Sequence, residues 1–235
     1  MLISVIIPTL NEQANIGGCL HSIKVQNVPV DIIVVDGGSV DKTVEIIKSS
    51  PNVTLLYSKP GRGGQIACGV KYAKGEIIVV LHADSVLKPH SFRRIIEQFS
   101  KDPLIVGGAF GLIYQTRNNW LRFAVFLHNF KTRFTGIAFG DQAQFYRKNA
   151  LADGFPKTRL MEDVELSIRL RKCGKLIFLP NGVISSNRQW VKNGHFLYFF
   201  KVLFLTMTYL FLRYFGLHSD SNAEWFYKVY YGRKK

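Results

Sequence analysis

The sequence predicts an α/β domain on a mostly parallel sheet, and three observations carry that prediction. β-Branched apolar runs of strand length recur through the first hundred residues, amphipathic helical stretches separate them, and each run ends in glycine or polar residues. Runs without polar alternation suit strands covered on both faces. Their regular exchange with helices specifies a doubly wound arrangement.

The runs are LISVII (2–7), DIIVV (31–35), VTLLY (53–57) and EIIVVL (76–81). Between them Ile16, Cys19, Leu20 and Ile23 fall at i, i+3, i+4 and i+7, one face of a helix. Val44 with Ile47 predicts a short helix, Ile66, Val70 and Ala73 a third, and Phe92, Ile95, Ile96 and Phe99 a fourth. Beyond residue 104 the pattern loosens. LIVGGAFGLIY (104–114) reads as a strand interrupted by glycines, AQFYR (143–147) as another, and Met161 to Lys172 as a helix. KLIFL (175–179) reads as a short strand closed by Pro180, which cannot donate to a ladder. The expected division is an α/β domain over 1–190 and an apolar, basic helical extension over 191–235.

Composition narrows the class. With 235 residues, 47% hydrophobic and 20% charged, the chain can bury a large core and is not of disordered composition. Cys19, Cys68 and Cys173 stand far apart with no metal spacing, which reads as reduced thiols. The opening MLISVIIPTLNE lacks a basic lead and a cleavage site, so a cytoplasmic location is expected. A net charge of +15 points to an anionic partner. Much of it falls late, at Lys157, Arg159, Arg169, Arg171, Lys172 and Lys175, then Lys228, Arg233, Lys234 and Lys235.

In an open parallel sheet the ligand crevice lies beyond the carboxyl ends of the strands. The four ends read Pro8-Thr9-Leu10-Asn11-Glu12, Asp36-Gly37-Gly38-Ser39, Lys59-Pro60-Gly61-Arg62-Gly63-Gly64 and His82-Ala83-Asp84-Ser85. Asp36 could accept from a base or ribose edge, or simply close an Asx turn. Gly61 to Gly64 precede a helix, whose N-terminus with Arg62 can hold an anion. His82 and Asp84, two apart at an expected strand end, would share a face and could address one divalent cation. Mg²⁺ takes one or two carboxylates plus substrate phosphates, while a histidine favours Mn²⁺. Glu162 and Asp163 stand at a helix head, as a general base or as ordinary N-terminal charge. Asp141 and Gln142 read either as an acceptor-side loop or a polar turn. Arg188 and Trp190 offer a cation and a stacking face, or Trp190 simply covers the core.

These motifs, in this order, resemble family 2 glycosyltransferases of the GT-A fold, a Rossmann-like nucleotide-sugar-binding domain. VIIPTLNE, IIVVDGGSVDKT, HADS and MEDVELSIRLRKCG carry the resemblance over about residues 3–190. GRGGQ, GGAF, GDQ and MEDVELS are similar to a small bacterial subfamily associated with arsenosugar biosynthesis. The resemblance implies a UDP- or GDP-sugar donor and an unknown hydroxyl acceptor. Pro8, Asn11 and Glu12 would line the nucleotide pocket, Asp36 bind the base and Arg62 lie near the diphosphate, with Ala83 also on the donor nucleotide. His82-Ala83-Asp84 would occupy the family's DxD position, with Asp84 the ligand of Mn²⁺ or Mg²⁺ and His82 replacing the first acid. Asp163 would be the base of an inverting single displacement. Arg188-Gln189-Trp190 matches the signature of processive members only in part.

Two rival readings are a sugar-phosphate nucleotidyltransferase and a non-catalytic basic module for nucleotide or membrane. The first wants a glycine-rich Gly-x-Gly-Thr-Arg loop where PTLNE stands, and the second leaves the strand ends unexplained. Residues 196–212 are apolar apart from Lys201 and a few Thr and Tyr, short for a span. They read as an amphipathic helix on an anionic membrane surface, peripheral to the inner face of the cell membrane, or else as a packing or homodimer surface. No nucleic-acid partner is expected.

Overall fold

The computed structural model describes residues 1–156, 158, 160–217 and 220–231. Of the late basic cluster, Lys157, Arg159, Arg233, Lys234 and Lys235 lie outside the described residues. The strands are β1 (Ile3–Thr9), β2 (Val30–Asp36), β3 (Val53–Tyr57), β4 (Ile77–Val80), β5 (Ser85–Leu87), β6 (Ile105–Ile113), β7 (Phe145–Arg147) and β8 (Lys175–Ser185). The helices are α1 (Ile16–Lys24), α2 (Thr43–Lys48), α3 (Arg62–Tyr72), α4 (Ser91–Lys101), α5 (Asn119–Thr135), α6 (Glu162–Cys173), α7 (Arg188–Asn193), α8 (His195–Tyr214) and α9 (Asp220–Tyr231).

One mixed sheet runs β3-β2-β1-β4-β7-β6-β8-β5. β1 pairs in parallel with β2 and β4, β2 with β3, and β6 with β8. β7 is antiparallel to β4 and β6, and β5 to β8. Period-two alternation sends Ile3, Val5 and Ile7 to one face, against Leu20 of α1 and Phe92 of α4. Ile6, Ile33 and Val80 go to the other, against Ile66 of α3 and Leu166 of α6. Both faces are covered, which is why these strands carry no polar alternation. A third cluster joins Met161 and Val164 to Leu205 and Tyr209 of α8 and Phe226 of α9.

Two expectations need correction. β8 does not stop at Pro180 but continues to Ser185. Its register against β6 shifts between the Phe110–Leu179 and Leu112–Val183 pairs, so Pro180 sits in an irregularity that needs no donor from it. The helix α5, spanning 17 residues, has no counterpart in the periodicity reading. Its exposed face carries phenylalanines, which blurs the contrast between an apolar and a polar side.

Three consequences of topology position the site. The carboxyl ends of β1 and β2 lie level, with Thr9 opposite Asp36, and Asp36 is opposite Tyr57 of β3. Because β7 runs against β4, the 3₁₀ turn Gly140–Gln142 just before it arrives at the same rim. Because Ser85 pairs with Ser185, the chain leaving β8 delivers Arg188 beside the β4–β5 turn.

Candidate active site at the carboxyl rim

The loops after β1 and β2 are laced together. Asn11 Oδ1 accepts from Val40 N at 2.9 Å, Asn11 N donates to Ser39 Oγ at 2.9 Å, and Glu12 N donates to Thr43 Oγ1 at 2.8 Å. Asn11 takes φ 54, a left-handed conformation that asparagine tolerates. Pro8 is buried within β1, opposite Val35. Asp36 is buried and closes an Asx turn, its Oδ2 accepting from Gly38 N at 2.8 Å and Ser39 N at 2.9 Å. Those bonds shape the loop that follows β2 whatever else the carboxylate contacts.

Gln65, in the first turns of α3, locks that loop to the sheet. Its Nε2 donates to Thr9 O at 2.9 Å and Val35 O at 2.8 Å. The helix starts at Arg62, after Gly61 at φ 141, a conformation that only glycine adopts readily. Arg62 Nε then meets Glu162 Oε1 at 2.9 Å, joining the glycine loop to the head of α6.

Burial pushes the Glu162 carboxyl up; Arg62 opposes this and the charge of Asp163 adds to it. Asp163 is buried, with Oδ2 accepting from Gly140 N at 2.7 Å and Oδ1 from Val164 N at 2.7 Å. Backbone donors therefore aim this carboxylate. Gly140 must be glycine for reasons of space, since a Cβ there would collide with the His82 imidazole and sit 3.5 Å from Asp163 Oδ2.

His82, Ala83 and Asp84 lie in the turn between β4 and β5, not at a strand end, so the shared-face argument for 82 and 84 does not hold. The His82 ring is against Gly140, whereas Asp84 Oδ2 faces Arg188 Nη2 at 3.3 Å. Ala83, expected on the donor nucleotide, is instead packed into the core, so its methyl side chain is turned away from the rim. Burial drives His82 down to about 3, with Arg62 and Arg188 adding, so its imidazole is neutral. Burial also lifts Asp84 to about 6, opposed by Arg188 and aided by Glu12 and Asp141.

Arg188 forks onto Glu12, with Nη1 2.9 Å from Oε2 and Nη2 on Oε1. One guanidinium thus bridges the β1 loop and the β4–β5 turn. Trp190 Nε1 donates to Tyr114 Oη at 3.1 Å, and Tyr114 donates to Asp141 Oδ2 at 2.8 Å. Asp141 is raised chiefly by burial, against that hydrogen bond. Gln142 leaves the acceptor-side group. Its Oε1 accepts from Thr132 Oγ1 at 2.8 Å and Phe139 N at 3.2 Å, and its Nε2 donates to Asn129 Oδ1 at 3.3 Å, so the fully buried amide is spent on internal bonds.

Sequence reasoning missed Tyr114, His128 and Lys131. His128 Nε2 lies 3.8 Å from Asp141 Oδ1, and Lys131 Nζ stands 3.6 Å over the Phe139 ring. Burial lowers Lys131 to about 8 and His128 to about 3. Recognising α5 was the only route to the last two. Cavities of about 220 and 420 Å³ lie away from this rim, one beside Arg133 and Arg171, the other beside Asp31 and Lys74.

The chain as a whole has relatives among known proteins. Residues 4–162 match the model of Glycosyl transferase family 2, more than half of the chain. The chain belongs to glycosyl transferase family 2. Membership makes it a glycosyltransferase domain. An uncharacterized glycosyltransferase of Nostoc sp., alr2836, is 31% identical over 112 residues, 45% of this chain and 35% of that protein. The 4,4'-diaponeurosporenoate glycosyltransferase of Staphylococcus aureus is 36% identical over 104 residues, 41% of this chain and 28% of that protein. The chain thus spans about a third of the length of the curated relatives it matches.

Among solved structures, S. aureus TarS 1-349 in complex with UDP superposes with TM-score 0.66 at 16% identity, covering 98% of this chain and 70% of that one. The mannosyltransferase PcManGT from Pyrobaculum calidifontis, in complex with GDP-Man and Mn²⁺, gives 0.60 at 23% identity, with 76% and 55% covered. These likenesses establish the GT-A fold, the family 2 framework anticipated from the motifs.

Proposed function

We propose that this domain transfers a sugar from a UDP- or GDP-sugar to an acceptor hydroxyl by a single inverting displacement. The observation that carries the reading is the Arg62–Glu162 ion pair, which brings the anion-binding glycine loop to the helix head bearing Asp163. A cation suited to a diphosphate and a carboxylate suited to a proton are therefore neighbours on the rim.

In this mechanism Pro8, Asn11, Glu12 and Asp36 line the nucleotide side. Asp163 removes the proton from the acceptor hydroxyl, whose oxygen bonds to the anomeric carbon as the carbon–phosphate oxygen bond breaks. The electron pair leaves with the nucleoside diphosphate, and Arg62 offsets the charge that accumulates there. Asp141, Tyr114 and Trp190 form the acceptor-side wall.

Among the described residues, no three His, Cys, Asp or Glu side chains converge to hold a metal by themselves. The donor set fits a cation completed by substrate phosphates, because the Asp84 carboxylate already faces a positive group in Arg188. Asp84 would hold Mn²⁺ or Mg²⁺ without His82, whose ring is turned to Gly140, and the cation would supply charge neutralisation to the leaving group. Placement in the arsenosugar-associated subfamily rests on GRGGQ, GGAF, GDQ and MEDVELS and is part of the proposal.

The test is thermal stabilisation by UDP and GDP with and without Mn²⁺, followed by donor hydrolysis. We expect stabilisation by one nucleotide, strengthened by Mn²⁺ and weakened in Asp84→Ala. No shift with either nucleotide would remove the reading.

A further inference from the structure

Large aromatic side chains are exposed on two helices. On α5, Phe123, Phe126, Phe130 and Phe134 fall along one face, with Phe134 70% exposed. On α8, Phe200, Phe204, Met207 and Phe211 do the same. The two rows are continuous. The Trp120 ring centroid is 5.9 Å from Phe123 and 4.8 Å from Phe196, and Phe196 stacks on Phe200 at 5.1 Å. A solvated protein seldom leaves so long an aromatic surface open without a partner.

The charge pattern around the rows identifies the partner. No Asp or Glu occurs between Asp102 and Asp141, or between Glu165 and Asp220, so neither helix contains an acid. Arg117, Arg122, Arg133 and Lys192 are exposed on or next to α5 and α7. Among the described residues the aromatic rows are edged by cations, which matches an anionic lipid surface. A second copy packed through α5 and α8 would set these cations against one another, since neither helix contains an acid.

α8, His195–Tyr214, is the one helix among the described residues long and apolar enough to span a membrane, with mean hydropathy 1.6 over an 18-residue window. Its inner face argues for lying flat instead. Leu205 and Tyr209 are buried on α6, Tyr209 Oη donates to Glu165 Oε2 at 3.0 Å, and Arg213 Nε pairs with the same oxygen at 3.0 Å. A spanning helix would break these bonds and carry Arg213 into hydrocarbon or drag the domain after it.

We infer that α5 and α8 together form a docking face for anionic bilayers, with both helices in the membrane plane. The face deepens the transferase reading by favouring a lipid-borne acceptor. Glu165 lies two residues beyond Asp163 on α6, so docking through α8 holds the catalytic helix head at a set height above the lipid.

The experiment is co-sedimentation of the full chain with vesicles of phosphatidylcholine alone or with phosphatidylglycerol. Binding is expected only with the anionic lipid, to weaken with salt, and to fall about tenfold or more in the double variant Phe126→Glu, Phe134→Glu. The pair Phe126→Leu, Phe134→Leu should retain it. Wild-type binding by the glutamate variant, absence of binding to anionic vesicles, or resistance to alkaline extraction would each overturn the inference. Thermal stabilisation by UDP or GDP, measured on the same preparations without lipid, reports separately on fold and on the transferase reading.

Discussion

The two halves of this molecule use apolar side chains in opposite ways. From β1 to α4 the phenylalanines and isoleucines that pattern the helices turn inward, as with Phe92, Ile95 and Phe99 of α4. From α5 onward, two long helices bury one side and hold phenylalanines outward. The first half is a scaffold whose helices exist to cover a sheet. The second supplies Glu162, Asp163, Asp141 and Arg188 to the rim while presenting a separate surface of its own. Reactive groups come from both halves, so the site exists only where they meet.

The comparison is broken most severely at that junction. Asp163→Asn retains the hydrogen bond from Gly140 but loses the proton acceptor. We expect transfer to fall by about 10²–10⁴-fold with nucleotide stabilisation preserved, and steady-state rates beside melting curves will decide it. An unchanged rate would assign the base elsewhere. Within the scaffold, Phe92→Ala should cost about 3–5 kcal/mol by urea denaturation, because the ring is wholly buried between α4 and the sheet.

Between these extremes lies the seam that ties α8 to α6. Glu165 accepts from Arg169, Arg213 and Tyr209. Burial pushes its carboxyl up, but those three bonds outweigh it and leave the group below its ordinary 4.5. A carboxyl lowered by folding adds stability above its unfolded value and loses it as pH falls through the folded one. Protection of α8 amides from hydrogen exchange should therefore hold at neutral pH and decline below about 4.5. Glu165→Gln should cost about 1–3 kcal/mol, since both arginines are partly solvated, and should abolish that pH dependence. The smallest effect belongs to the outward face, where Phe130→Ser should change stability by no more than about 0.5 kcal/mol.

Legibility in sequence divides along the same line. β1–β4 are readable because strands covered on both faces are unbroken apolar runs, and α1–α4 because each buries a single patterned face. α5 was not, because an aromatic row on its outer side imitates a core-facing stripe. β5 was invisible at three residues. Asp36 was identified as a rim residue, yet only the coordinates show both carboxylate oxygens engaged in the turn. Gln142 looked available because spacing says nothing about which way an amide points.

Periodicity and motif order by themselves determined the α/β class, the rim that carries the polar loops, and the resemblance to family 2. Those properties are local or nearly so: strand length, alternation, and the residues that follow each strand. Tertiary structure alone decided that Arg62 meets Glu162, that Arg188 bridges Glu12 and Asp84, and that α5 continues the surface of α8. Each of these joins residues far apart in the chain; Arg188, for one, arrives through the antiparallel pairing of β8 with β5, which no short window encodes. Side-chain encounters of that kind depend on sheet order and register, and only the folded chain sets those.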